Sequence, residues 1–345
     1  MSRIARLAVV GAGMMGAVHV DRIATSPSAE LAVVSDLDEG SSTGGVPVVT
    51  DHRDLLSYGI DGVVIATPNH LHREMGLFFV EHGIPVLIEK PLAGEVAEGL
   101  ELCRAADRAG VPILVGHHRR HHPVIQRARQ VVESGIGRLV GTSTLLALRK
   151  PDSYYEPEWR RRADAGPLSI NLIHELDLLR AVCGEIVAVQ AVSRRIDRPW
   201  DFDDTAAVIV HYRDGAVGTV FVSDSTAAPW SWEGSIGGFG FHTAGEDYLS
   251  IMGTEASLSF PSLTGWAYDG SGESGWHTPM VARTPPAVEA DAHALQIEHF
   301  ARVVRGEEPP LVSGWDALRS LAILEAVIEA ARTGTVVTVD TTGWG

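Results

Sequence analysis

The chain has 345 residues with a formal net charge of −16; 45% of them are apolar and 21% charged. That length exceeds one compact core and suits two domains of ordinary size, and the apolar and charged shares are those of a folded globular protein rather than a disordered one. A surface so acidic repels phosphates, which argues against nucleic acid or an anionic membrane as the main partner, and no apolar run reaches the ~18 residues that would span a bilayer.

The first residues have the outline of a secretory leader, with Arg3 and Arg6 before an apolar run. That run contains Gly11, Gly13 and Gly16 and breaks at His19, so it reads as a strand feeding a glycine-rich turn, and a cytoplasmic protein is expected. Cys103 and Cys183 lie far apart, outside CxxC or metal-ligand spacing, and read as reduced thiols. Short Val/Ile-rich runs at 4–10, 31–35, 46–49, 62–66, 85–89 and 112–116 predict strands covered on both faces. Amphipathic stretches at 14–24, 70–82 and 95–109 predict helices between them, the order of a doubly wound parallel sheet. The crossover at 36–46 is rich in Gly and Ser and reads as a loop rather than a full helix.

After residue 120 the pattern changes. A helix at 124–133, a strand at 139–148 and a helix at 168–183 are followed by period-two strands at 187–195, 206–212, 216–223, 248–252 and 256–260. The remainder of 225–285 reads as mostly loop, and helices at 292–305 and 315–332 precede a short strand at 336–339. The expectation is a domain of residues 1–120 and an α+β domain of residues 121–345 built on a large, mostly antiparallel open sheet. Such a sheet also suits a subunit interface, so a homodimer or homotetramer is expected.

Gly11-Ala12-Gly13-Met14-Met15-Gly16 follows a strand and opens a helix, the context that the dinucleotide fingerprint requires. Gly11 permits the tight turn, Gly13 lets backbone approach a pyrophosphate, Gly16 lets helix pack on strand, and the helix N-terminus offers its N–H groups. Asp36 stands 20 residues beyond Gly16 with no Arg or Lys following, so it accepts from ribose hydroxyls and repels a 2′-phosphate. The N-terminal domain is therefore a Rossmann domain, and its cofactor NAD rather than NADP. Two further segments, Ala66-Thr67-Pro68-Asn69-His70-Leu71-His72 and Glu89-Lys90-Pro91, follow strand carboxyl ends, where the ligand crevice of such a sheet forms. Cofactor contacts are expected from Gly11, Gly13, Met14, Met15, Gly16, Asp36, Ala66, Thr67, Pro68, Asn69, His72, Glu89 and Lys90.

These segments, with VGHHRRHHP at 115–123 and IHELDLLR at 173–180, make the chain resemble the Gfo/Idh/MocA oxidoreductases along nearly its whole length. The resemblance implies an NAD(P)-dependent dehydrogenase that oxidises a secondary hydroxyl of a sugar, sugar acid, polyol or cyclitol. It implies Lys90 as donor to the reacting hydroxyl and a nicotinamide ribose oxygen, and His174 as general base. The chemistry suits the types: an ammonium stabilises a developing alkoxide and an imidazole exchanges protons near neutrality. Without the resemblance, His174 among Leu172, Ile173, Leu176 and Leu179 reads equally as a core histidine. Many relatives carry an Asp four residues before this His; here Ile170 stands there, with Asn171 three before and Asp177 three after, either of which could take part.

The run His117–His122 suggests metal, but consecutive side chains point apart and no Cys or acid completes a site, so no metal is expected. Arg120 near the domain junction and His118 facing substrate are expected instead. Arg160-Arg161-Arg162 is either a solvated loop or a cation for a substrate anion or cofactor phosphate. Substrate contacts are thus Lys90, His118, Arg120, Arg160, Asn171 and His174. Two other activities stay open: an NAD-dependent glycosidase working by transient oxidation, and a non-catalytic NAD-binding regulator.

Overall fold

Ala5–Val10 reads almost continuously apolar and forms β1 at the centre of a parallel sheet. The computed structural model describes residues 3–38, 40, 43, 45–162, 165–238 and 240–344, and these fall into two compact units. In the first unit β1 leads to α1 (Met14–Ala24), β2 (Ala29–Ser35), β3 (Val48–Val49), β4 (Gly62–Ile65), α2 (His72–Glu81), β5 (Val86–Ile88), α3 (Val96–Ala109) and β6 (Ile113–Val115). The strand order is β3-β2-β1-β4-β5-β6, all parallel. That is the doubly wound order, whose crevice opens where it reverses, between β1 and β4. β4, β5 and β6 are wholly buried, as strands covered on both faces require. No helix occupies the described part of the 36–46 crossover; Glu39, Ser41, Ser42 and Gly44 lie outside the described residues.

The second unit contains α4 (Pro123–Gly135), β7 (Leu139–Arg149), α5 (Pro167–Ile170), α6 (Leu172–Cys183), β8 (Ile186–Arg194), β9 (Thr205–Tyr212), β10 (Val217–Ser223), β11 (Ser225–Trp230), α7 (Trp232–Ile236), β12 (Leu249–Gly253), β13 (Ala256–Phe260), β14 (Thr264–Tyr268) and β15 (Met280–Arg283). Then follow α8 (Ala292–Val304), α9 (Gly314–Thr333) and β16 (Val337–Thr338). The ten-stranded sheet runs β15-β14-β13-β12-β7-β10-β9-β8-β16, with β11 also on β7. Among the described residues β7 and β10 are its one parallel pair, and every other pairing is antiparallel.

Two expectations are corrected and one is extended. The remainder of 225–285 is mostly loop as expected, but it also holds β11, α7, β14 and β15. Its Gly, Ser and Trp mask strands with little buried face, β14 being mostly half-exposed and β15 exposed throughout. The helix expected over 168–183 breaks at Asn171, where the His174 N–H bonds back only three residues, to the Asn171 carbonyl at 3.0 Å. Finally, the division after residue 120 does not hold to the C-terminus, because Ala290–Leu321 belongs to the first unit with the residues through His122. The cause is α8, which buries Ile297 and Phe300 and whose Glu298 accepts from the Ser26 hydroxyl at 2.5 Å and from Ser28. Among the described residues no helix is long and apolar enough to cross a membrane.

Candidate functional site

Gly11 ends β1 with φ +85°, a region that L side chains rarely adopt, and a Cβ there would also meet the Ala66 carbonyl at 2.9 Å. The glycine turn therefore lies directly against the end of β4, at the sheet's switch point. Gly16 is pressed on Gly11: a Cβ would come within 1.8 Å of the Gly11 oxygen. Gly13, which precedes the first turn of α1, is the opposite case, with nothing within 4 Å of its Cβ position. Backbone N–H groups thus face open space at a helix start, the cradle a pyrophosphate needs. Met14, Pro68 and Asn69 are exposed around it, and Met15, Ala66 and Thr67 half-exposed. Asp36 Oδ2 accepts from the Ala12 N–H at 2.5 Å and Oδ1 from the Asp38 N–H at 2.9 Å, which fixes the carboxylate beside the turn. The residues present fit the group.

Two expected cofactor contacts are corrected. His72 is fully buried, its ring nitrogens facing the Pro91 carbonyl at 2.8 Å and the Thr67 carbonyl at 2.9 Å. Burial holds it below the usual histidine range although both carbonyls favour the proton, so it braces the loop after β4 against the turn after β5. Glu89 is also buried: Oε1 receives His19 Nε2 at 2.8 Å and Oε2 the Lys90 N–H at 3.2 Å. Burial pushes this carboxyl up, but the His19 hydrogen bond and the His19 and Lys90 charges outweigh it and hold it at about 2. Both residues support Lys90, which stays half-exposed on the rigid Lys90-Pro91 turn.

His118 and Arg120 lie on the short 3-10 turn after β6. The His118 ring stacks on His293 of α8 with centroids 4.0 Å apart, and burial, then His293, Arg119 and Lys90, lower it well below the usual histidine range. Burial, with His19 next, lowers His293 to about 4. Arg120 pairs with Asp316 of the first unit at 3.0 Å.

In the second unit the site builds around the start of α6. From Leu172 to Arg180 every residue is buried except His174, which is half-exposed, as is Asn171 one turn earlier. Asp177 is buried near Arg180, 4.0 Å away, and so braces the helix. Sequence reasoning missed the neighbours. Lys150 and Asp224 follow the carboxyl ends of the parallel pair β7 and β10, and their ions are 3.2 Å apart. Tyr155 donates to Asp224 at 2.6 Å, and Arg198 donates to the Lys150 and Asp224 carbonyls at 2.6 and 2.8 Å. Lys150 Nζ donates to Asn171 Oδ1 at 2.7 Å. Nothing local in the sequence marks this cluster, because the pairing of β7 with β10 joins residues 76 positions apart, as in Val217 with Gly141.

The arginine run proves mostly structural. Arg160 donates to the Tyr154 carbonyl at 2.8 Å and lies 4.1 Å over the Tyr154 ring, while Arg161 bonds the Tyr155 carbonyl and stacks on Trp200. Arg162 is exposed, 3.9 Å from Glu158. Arg160 therefore ties down its own loop.

Comparison with known proteins agrees with this architecture. The family model described as "Oxidoreductase family, NAD-binding Rossmann fold" (GFO_IDH_MocA) matches residues 5–117, and its companion, the C-terminal alpha/beta domain, matches residues 129–339. Inositol 2-dehydrogenase 2 of Saccharopolyspora erythraea is 28% identical over 97% of this chain and 95% of its own. The scyllo-inositol 2-dehydrogenase (NAD(+)) of Bacillus subtilis is 25% identical over 99% of this chain and 98% of its own. Among solved structures, an oxidoreductase from Agrobacterium radiobacter in complex with NAD+, L-tartaric acid and magnesium superposes with a TM-score of 0.80 at 21% identity, covering 98% of this chain and 99% of that one.

Proposed function

For a chain that belongs to the Gfo/Idh/MocA oxidoreductase family, we propose a dehydrogenase that oxidises a secondary hydroxyl of a sugar, sugar acid, polyol or cyclitol, with Lys90 and His174 as its catalytic pair. The family makes it an NAD-dependent oxidoreductase acting on CH–OH groups. The narrower reading rests on one observation above others: α6 buries its side chains from Leu172 to Arg180 and leaves His174 half-exposed. A core histidine would be buried with its neighbours.

The bound nicotinamide would supply the hydride acceptor for the carbinol carbon. The Gly11–Gly16 turn would hold the pyrophosphate and Asp36 the adenosine ribose. Lys90 would donate a hydrogen bond to the reacting oxygen and stabilise negative charge as it develops. His174 would take the hydroxyl proton. His72 and Glu89 would act at one remove, fixing the loops that carry Thr67 and Lys90.

NADH formation over a panel of inositols, sugars, aldonates and polyols tests the reading. Lys90→Ala and His174→Ala should each keep the fold and NAD affinity yet lose at least ~100-fold in rate, the scale of a lost acid–base group. A His174→Ala variant with wild-type kcat would return His174 to a structural role. Net NADH release also separates a dehydrogenase from a glycosidase that recycles its hydride.

The exposed face of the large sheet supports assembly. Strand register places Trp266, Met252 and Val217 in one row across it and Ile209 and Phe221 in neighbouring rows, all substantially exposed. Exposed apolar side chains grouped on one sheet face suit a homodimer or homotetramer.

A further inference from the structure

Lys150 is only 8% exposed, and the carboxylate it pairs with, on Asp224, is at 0%. A buried ion pair of this kind contributes little to stability, since desolvation offsets most of its attraction. The pair is nonetheless held from several sides. The Lys150 N–H bonds the Asp224 carbonyl at 2.9 Å, the Tyr155 hydroxyl donates to Asp224, and Arg198 clasps both backbone carbonyls. The far end of this chain of contacts is Asn171, through Lys150 Nζ at 2.7 Å.

An ammonium only donates, so the amide atom facing it must be the oxygen. That settles the orientation of the Asn171 amide and turns its Nδ2 hydrogens away from Lys150. Asn171 is half-exposed, and among the described residues its Nδ2 donates to nothing. His174 is its neighbour three residues on, the other half-exposed position on this turn. We infer that Lys150, locked by Asp224 and Tyr155, is a positioning residue that turns the Asn171 amide so that it donates a hydrogen bond to a substrate oxygen beside His174. The group recognised is an oxygen lone pair, a hydroxyl or a ketone, and an ammonium or amidinium at that position of the substrate is rejected. The inference rests on the dehydrogenase reading for its substrate, but not for the Lys150–Asn171 coupling.

A double-mutant cycle tests it. Lys150→Met alone would strand the buried Asp224 carboxylate, so the variant to use is Lys150→Met with Asp224→Asn, which removes both charges together. Turnover is followed as NADH formed from myo-inositol, scyllo-inositol, D-glucose and D-gluconate. Asn171→Ala and the Lys150→Met/Asp224→Asn variant should each lose at least ~tenfold in kcat/KM, about the worth of one hydrogen bond, with NAD affinity intact. The triple variant should be no worse than Asn171→Ala. In ¹⁵N spectra the Asn171 side-chain amide should move when the charges are removed, a readout that needs no turnover. Additive losses, a wild-type Asn171→Ala enzyme, or an unmoved amide would each overturn the inference. Absence of NADH from every panel compound with the amide coupled as described would instead overturn the dehydrogenase reading.

Discussion

The glycines of the first turn offer a test in which similar substitutions have opposite outcomes. A Cβ on Gly16 would lie 1.8 Å from the Gly11 oxygen and 2.8 Å from the Gly11 carbon. Cβ contacts below about 3 Å essentially do not occur, so α1 and the end of β1 must separate by more than an ångström. Both are backbone, which cannot give as a side chain can. Overpacking typically costs ~1–3 kcal/mol, and this case belongs at the top of that range. At roughly 2–4 °C per kcal/mol for a unit of this size, Gly16→Ala should lower Tm by about 6–12 °C. Gly13→Ala meets nothing within 4 Å, and its φ of −63° is ordinary for alanine. That variant should melt within ~0.5 kcal/mol of wild type, as surface changes do, yet bind NAD at least ~tenfold more weakly, because its methyl projects where the pyrophosphate must approach. Differential scanning calorimetry and isothermal titration read the two effects separately. A Gly16→Ala protein that melts like wild type, or a Gly13→Ala protein that binds NAD normally, would refute the reasoning.

Cofactor choice should follow Asp36: NAD(H) is expected to bind at least ~tenfold tighter than NADP(H), ~1.4 kcal/mol, and Asp36→Ala should narrow the gap in titration calorimetry, while equal affinities in the wild type would contradict it. The Glu89–His19 pair predicts an acid limb. Because the folded protein holds Glu89 at about 2 against an ordinary 4.5, its contribution is fully present above pH ~4.5 and is lost as pH falls through ~2. Thermal melts across that window should show a shallower decline for Glu89→Gln than for wild type; parallel declines would mean that the pair carries no linkage. Ile209→Asp with Phe221→Asp on the exposed sheet face should dissociate the assembly in light scattering without unfolding the chain, and an unchanged mass would place the interface elsewhere.

Much of the first unit was legible because its determinants are local. Period and composition placed β1, α1 and the strands around them to within a residue or two, and Gly11, Gly13 and Gly16 announced the turn that the structure shows at the switch point. His174 and Asn171 could be singled out, but whether a histidine between leucines faces core or surface is decided by how α6 lies on its neighbours, which no periodicity states. Glu89 and His72, adjacent in sequence to cofactor segments, turned out to be buried braces because each found a partner far along the chain, His19 and Pro91.

What the sequence determined by itself was therefore the fold class, the family and the cofactor end, since glycine stereochemistry, alternating apolar runs and a strand-end acid act over a few residues. Only the tertiary structure brought Lys150, Tyr155 and Asp224 to Asn171 and returned α8 to the first unit. Those contacts join residues 21 to 272 positions apart, and at such separations burial and strand pairing, not local propensity, choose the partner.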